Sequence, residues 1–409
     1  MTETHHEGPW DAPTIQPPLT TEFHGTRSGL FALAFKTGVL TVLTLGVYRF
    51  WMKTRLRRWY WSAIRIGGLP MEYVGDPLEK LLGFLVAVVI LAFYIGVVNL
   101  LLMFASFALL QGNTAAYLLS FIGVVPIWFY AQYRARRYVL ARTRWLGLRF
   151  GLEPGAWGYA FRAMGYWLLM LLSAGLLWPL MTFRLEKYQT DRTFFGDRRM
   201  AQGGRWSMLY RSMKWLFFAA ALAVAATFLL AVGSVAVGII GCIVAGFMGA
   251  FGFVYYKVDS LRRLTATKTL DGISLTLKAS PMRILWIHIF GYTLAGLVAM
   301  VPIAVLGLLF LQLQSLETLV DLGVEDFPVL LDGANRWVII ALSVMSYFAI
   351  FLVWSALTHA LVTMPVIRHY ARGLTLQGAD LLSAIRQRPR DEHSEAEGFA
   401  EALDVAASI

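Results

Sequence analysis

The residues best suited to chemistry form one short run, Arg49-Phe50-Trp51-Met52-Lys53-Thr54-Arg55-Leu56-Arg57-Arg58-Trp59-Tyr60-Trp61. Fixed cations interleaved with indole and phenol rings suit anionic headgroups at a bilayer surface. Each Lys or Arg beside a negatively charged leaflet is worth about 1 kcal/mol, and Trp and Tyr settle at headgroup level. Arg49, Trp51, Lys53, Arg55, Arg57, Arg58 and Trp59 are therefore the candidate lipid-headgroup residues. The plainer reading of the same run is topology: the cations hold a loop on one side of the membrane and the rings form an interfacial belt. It takes precedence over a dedicated site.

A second set consists of polar residues inside apolar runs: Lys36, Asn99, Arg162, His288 and His359. A charge at bilayer depth costs about 2.5–3.5 kcal/mol even on insertion scales, and such residues mark pathways or sites. Lys36 and Arg162 lie near the starts of their runs, where a long side chain snorkels back to the interface. His288 and His359 lie near the basic ends of theirs, where a satisfied interfacial histidine is the simpler reading than a proton relay. No Asp or Glu lies deep in an apolar run, which speaks against an ion-coupled transporter. Phosphate-loop, nucleophile-elbow and His-Glu-x-x-His patterns are absent from the sequence, so no catalytic residue and no cofactor is assigned. His5 and His6 sit in a polar tail, His369 and His393 are isolated, and Cys242 is the single cysteine; no metal site is expected.

The elements that must carry these residues are membrane helices. The chain is 58% hydrophobic and 15% charged, with a mean hydropathy of +0.60, against about 25% charged in soluble domains. Eight apolar runs approach spanning length: Leu30–Trp51, Leu81–Phe104, Ala115–Tyr133, Tyr159–Phe183, Trp215–Val232, Val235–Tyr256, Ile284–Leu311 and Trp337–Met364. Of 36 Lys and Arg, six fall in 52–80, six in 131–158, eight in 183–214, six in 257–283 and five after 364. The connections near 111–113 and 233–234 carry no charge, and that from Leu313 to Asn335 is acidic. By the positive-inside rule the five basic stretches are cytoplasmic and the other three face out. Spread over five membrane-adjacent stretches, the net charge of +11 does not describe a nucleic-acid-binding surface. The expected partner is the bilayer itself, anionic lipids above all; a protein partner is unknown.

Tyr159–Phe183 has basic stretches at both ends, so a single crossing would break the charge rule. Gly38 and Gly46 in the first run, and Gly175 and Pro179 in this one, favour broken helices. The expectation is an all-α polytopic membrane protein with three transmembrane helical hairpins (81–133, 215–256, 284–364) and two re-entrant or broken segments. Eight simple spans is the alternative. After each inward helix end a basic run leads into strand-like alternation around a glycine, as in Ile64-Arg65-Ile66-Gly67-Gly68, Thr143-Arg144-Trp145-Leu146-Gly147 and Thr193-Phe194-Phe195-Gly196. Thr269-Leu270-Asp271-Gly272 and Thr375-Leu376-Gln377-Gly378 continue this internal repeat. Each copy predicts a small cytoplasmic β-hairpin. The chain divides into a polar tail (1–28), an integral membrane domain (29–385) and an acidic cytoplasmic tail (386–409).

Phe23-His24-Gly25 leading into Leu30-Phe31, then Leu43-Thr44-Leu45-Gly46-Val47-Tyr48-Arg49-Phe50-Trp51, Arg57-Arg58-Trp59, and Gly67 through Tyr73-Val74-Gly75, resembles the YjgN-like bacterial inner-membrane proteins, a family of unknown function. In the second broken run the matching place reads Ser173-Ala174-Gly175-Leu176-Leu177-Trp178, which departs from the motif. The resemblance implies a compartment and no chemistry. The expected function is that of a multipass inner-membrane protein with its carboxyl terminus in the cytoplasm, engaged in transport or lipid handling. The alternative is a non-catalytic scaffold that binds a cytoplasmic partner through its hairpins by strand addition.

Overall fold

The computed structural model describes residues 17–93, 96–97, 100–110, 114–321 and 334–389. Strand β1 (Leu19–Phe23) enters helix α1 (Arg27–Leu43), and α2 (Arg49–Ala63) returns to β2 (Ile64–Ile66), which turns into β3 (Leu69–Pro70). Four further passages leave a strand as helix and come back to a strand. β4 (Glu72–Tyr73) leads through α3 (Pro77–Phe93), α4 (Leu100–Leu110) and α5 (Thr114–Ala141) to β5 (Thr143–Trp145). β6 (Leu148–Leu152) leads through α6 (Ala156–Leu172) and α7 (Trp178–Thr190) to β7 (Thr193–Phe195). β8 (Arg198–Gln202) leads through a 3-10 helix (Trp206–Met213), α8 (Lys214–Ala231) and α9 (Val235–Ala266) to β9 (Lys268–Leu270). β10 (Ile273–Leu277) leads through α10 (Pro281–Asp321), α11 (Ala334–Thr358), a π-helical turn (His359–Thr363) and α12 (Met364–Gly373) to β11 (Leu374–Gln377).

The strands overturn the all-α expectation. They do not stand as separate small hairpins but join in one antiparallel eleven-stranded sheet, in the order β3-β2-β1-β11-β10-β9-β8-β7-β6-β5-β4. The two strands flanking each helical passage are neighbours. β1 and β11 tie the first passage to the last, with Leu19 opposite Leu376. Only Met71 separates the outermost strands β3 and β4, so the sheet bends round almost to closure. The physical reason is that an isolated two-stranded hairpin leaves two unpaired edges and is marginal in water, whereas neighbours in a ring satisfy one another. Four of the connections are two-residue turns, with Ile66 opposite Leu69, Trp145 opposite Leu148, Phe195 opposite Arg198 and Leu270 opposite Ile273. Leu146-Gly147 and Asp271-Gly272 hold positive φ at both turn positions, the geometry that follows strand twist.

The sheet wraps its own core. Ile66, Trp145, Phe195, Leu270 and Leu376, each the third residue of a returning strand, are buried in one cluster with Ile273 and Ile385. Fully burying such side chains contributes about 1.5–3 kcal/mol apiece. Ile385 arrives from the far end of the chain, where a 3-10 helix (Ala379–Ala384) leads into an extended stretch laid on the sheet. The Arg386 N–H donates to Asp197 Oδ1 at 3.0 Å, and the Arg149 N–H donates to Gln387 Oε1 at 2.9 Å.

On the helical side, four helices among the described residues are long and apolar enough to cross a membrane: Trp206–Ala231, Val235–Ala266, Pro281–Val305 and Ser343–Gly373. Six spans were expected from hydropathy; the four lie within the expected hairpins 215–256 and 284–364, extending past their ends, and parts of the third, 81–133, lie outside the described residues. α8 and α9 close on each other through small residues, Gly238 against Leu230, Gly241 against Ala226 and Gly252 against Leu216. The runs 30–51 and 159–183 are each two helices joined by a five-residue turn. The departure of 173–178 from the motif at 44–49 is one of sequence alone. The Gly46 N–H donates to Thr41 O and the Gly175 N–H to Met170 O; Tyr48 N–H is held by Thr44 Oγ1 at 2.9 Å and Leu177 N–H by Ser173 Oγ at 3.0 Å. Leu45-Gly46 and Ala174-Gly175 share positive φ. A short hydroxyl side chain and a glycine two residues later are what this turn requires.

Candidate anion site

Where α5 runs into β5, the fold gathers arginines. A cavity of about 230 Å³ is lined by Arg137 from the last turns of α5, Arg142 just after it, Arg144 on β5, Arg149 on β6 and Arg388 in the C-terminal stretch, with Phe150 and Phe194 among its apolar walls. Strand alternation places two of them. Trp145 and Leu148 turn into the sheet's core, so Arg144 and Arg149, which face each other across the β5–β6 ladder, stand on the opposite face. The Phe194 ring lies against Gly151 closer than any Cβ would allow, and the Arg388 guanidinium sits 4.8 Å from the centre of that ring.

Carboxylates reach the arginines of this cavity from outside its lining. Among the described residues lining it none is Asp or Glu. Arg142, 7% exposed, is bonded to Glu79 and lies over the Tyr138 ring. Glu153 is bonded to Arg199 and stands 3.8 Å from Arg388. Glu72 is the ladder partner of Arg144 on its other side, yet the buried Arg144 Nε has no hydrogen-bond acceptor.

A second basic cluster nearby encloses a carboxylate. Glu186 on α7 meets Lys268 at 2.5 Å and Arg136 at 3.5 Å, and Arg136 also donates to Gln189. Burial alone would raise the Glu186 carboxyl, but the Arg136 and Lys268 charges outweigh it and bring it down to about 2. Asp259 on α9, 2% exposed, accepts from Ser212 at 2.7 Å and pairs with Arg262 and Arg263.

The residues singled out from the sequence are dispersed. Arg57 is buried, donating to the Tyr73 hydroxyl, and Trp59 packs edge-on to Phe23 in the core shared by α1, α2 and α12. Trp51 stacks on Tyr48, Arg55 lies over the same ring, Lys53 is half-buried, and Arg49 is exposed just beyond the turn. Lys36 is exposed on α1. Arg162 donates to Gly158 O at 2.9 Å, beneath the Tyr188 ring. His288 Nδ1 is 2.8 Å from Ile284 O, and His359 Nδ1 is 3.4 Å from the Tyr60 hydroxyl. Asn99 lies outside the described residues. Arg58 acts as a clamp, donating to Gly75 O at 2.9 Å and so tying the helix that ends one passage to the start of the next. Lys187 does the same to Gln202 O and Arg368 to Gly25 O. Sequence reasoning missed this clamp, although a cation stands eight residues before the buried strand residue in each case, at Arg58 before Ile66, Lys187 before Phe195 and Arg368 before Leu376.

Fold and site together define a helical protein with membrane-crossing capacity built on a nearly closed sheet, basic at the sheet-side helix ends. A family model described as "Bacterial protein of unknown function (DUF898)", the YjgN family, matches residues 18–294, and the chain belongs to that family. No curated protein and no solved structure matches it.

Proposed function

We propose that the chain is a multipass protein of the bacterial inner membrane that handles lipid, with its sheet and returning helix ends at the cytoplasmic surface against anionic headgroups. The observation that carries this reading is the placement of charge on the fold. Every helical passage leaves the sheet and returns to it, and cations gather at the returning ends, whereas the turns at 44–48, 173–177 and 232–234 hold no charged residue. A basic face of this kind is drawn to the negative leaflet, and the Lys/Arg bias assigns it to the inside. The small-residue seam of α8 and α9 favours work at the surface over a polar passage through that pair. Strand addition by a partner protein has little edge to use, since β3 and β4 are two residues each.

In a Cys242→Ala background, Ser62→Cys at the sheet end of α2 and Ser234→Cys at the α8–α9 turn are probed in spheroplasts with an impermeant thiol reagent. Ser234→Cys is expected to label at once and Ser62→Cys only after lysis; the reverse pattern overturns the orientation. In nanodiscs of phosphatidylglycerol and phosphatidylcholine, the chain is expected to retain phosphatidylglycerol preferentially. Equal retention of the two lipids removes the lipid reading.

A further inference from the structure

We infer that the turns joining α1 to α2 and α6 to α7 insert into one leaflet only, at the boundary between headgroups and acyl chains on the sheet side of the membrane. This contact rests on the membrane placement proposed above, and it is made with acyl chains where that one is made with headgroups. Neither turn, 44–48 or 173–177, holds a charged residue, and exposed leucines stand at or beside each, Leu45 at 92% and Leu172 at 76%. An exposed turn in water can leave its N–H groups to solvent. Here each of the five N–H groups in either turn has an acceptor within its own hairpin. The hydroxyls bend back as well, Thr44 Oγ1 donating to Leu40 O and Ser173 Oγ to Met170 O. Among acyl chains there is no water to satisfy a backbone group, and internal satisfaction is what that setting demands.

Neighbouring helices fix the level of the two turns. The Tyr210 hydroxyl donates to Leu176 O at 3.0 Å, and the Trp178 ring packs against Tyr256 and Phe253. Away from the sheet, α9 extends from Phe253 to Val235, about 27 Å at 1.5 Å per residue and close to the ~30 Å of a hydrocarbon core. The second turn therefore stands where α9 enters the hydrocarbon from the sheet side. Lys214 and Lys257 lie over the Tyr255 and Phe253 rings at this level, and such a belt of cations and aromatic rings belongs among headgroups. The first turn is placed likewise. Leu352 on α11 packs against Gly38 where a Cβ would not fit. From that contact α1 ends about 8 Å further on at Leu43, whereas α11 continues about 27 Å to Ala334. Exposed Arg49 follows the turn directly and Tyr48 stacks on Trp51 beside it, so the leucines reach past the headgroups by only about 5–10 Å.

The test uses the full chain in the Cys242→Ala background with Leu45→Cys or Leu172→Cys, and with Ser62→Cys and Ser234→Cys as references. In spheroplasts treated with the impermeant thiol reagent, both tip cysteines are expected to stay unlabelled while Ser234→Cys labels. Labelling of either tip together with Ser234→Cys means that its hairpin crosses, and overturns the placement. Each tip cysteine is then given a fluorophore in vesicles of phosphatidylcholine and phosphatidylglycerol. Quenching is expected to be about twofold stronger from a nitroxide at the start of the acyl chain than from one at mid-chain or from aqueous cobalt. Strongest quenching by cobalt puts the tip in water, and strongest quenching at mid-chain puts it too deep. Absence of quenching from all three, with or without a disulfide between copies, means that protein covers the tip. Each of these three results overturns the placement. The reading above fails separately: reversed labelling of Ser62→Cys and Ser234→Cys overturns the orientation, and equal retention of the two lipids removes lipid handling, while neither moves the depth of the tips.

Discussion

Arg136 and Arg137 are consecutive on α5 and serve two different neighbourhoods. Arg136 turns to Glu186, Lys268 and Gln189, where one carboxylate answers two cations. Arg137 helps line the cavity with Arg142, Arg144, Arg149 and Arg388, where no described lining residue is acidic. Residue type is the same and only the company differs. A basic cluster that encloses its own carboxylate is holding elements together, here α5, α7 and β9. At the second, the acids reach the arginines from outside the cavity lining, Glu79 at Arg142 and Glu153 at Arg388. Removing a carboxylate should therefore be severe at the first cluster, and removing an arginine mild for stability at the second.

The largest effect is expected at Glu186. Its side chain is 22% exposed and its carboxyl sits at about 2 instead of 4.5. Glu186→Gln leaves two cations facing each other and should cost about 3–5 kcal/mol of unfolding free energy, read from unfolding of the purified chain in detergent. The pH dependence carries the same sign. A carboxyl depressed by folding contributes stability above its unfolded value, lost as pH falls from about 4.5 toward 2. At about 1.36 kcal/mol per pH unit this amounts to about 3 kcal/mol in the wild type, and the variant should lack that part of the acid slope. A loss under 1 kcal/mol would end the distinction between the two clusters. Lys268→Met comes next, removing one charge-assisted hydrogen bond while Arg136 remains; about 1.5–3 kcal/mol is expected in the same measurement.

Much of this was legible in the sequence wherever the physics is local. Basic helix ends, glycine-centred alternation and the breaks near Gly46 and Gly175 all declare themselves within a dozen residues. Pairing in a sheet is not local. Nothing in Thr20 or Thr375 announces that they are ladder partners, and without the β1–β11 pair the strands read as separate hairpins. The spread of the Arg49–Trp61 run over the fold was hidden for a related reason. Cations spaced along α2 look like one surface, but a helix distributes them around its axis, and Arg57 goes into the interior while Arg58 reaches the Gly75 carbonyl. The cavity was out of reach because Arg388 joins Arg137 and Arg149 from the other end of the chain. One signal was available: Arg144 and Arg149 flank a two-residue turn at Leu146-Gly147, so their opposition follows from hairpin register.

Arg144→Gln is expected to have the smallest effect on stability and is the sharpest test of the comparison. Its guanidinium faces Arg149 across the ladder, and a buried N–H goes without an acceptor. Glutamine keeps the strand and removes the like-charge opposition, so unfolding free energy should change by no more than about 0.5 kcal/mol, and toward greater stability at low salt. Glu72, the ladder partner on β4, works the other way, since it loses an opposite charge; that contribution is modest because Glu72 is exposed. The salt dependence separates the two: screening should shrink any gain from removing Arg144 as ionic strength rises. A cost above about 2 kcal/mol would mean that Arg144 holds the fold as Arg136 does, and the contrast between the two basic clusters would have to be abandoned.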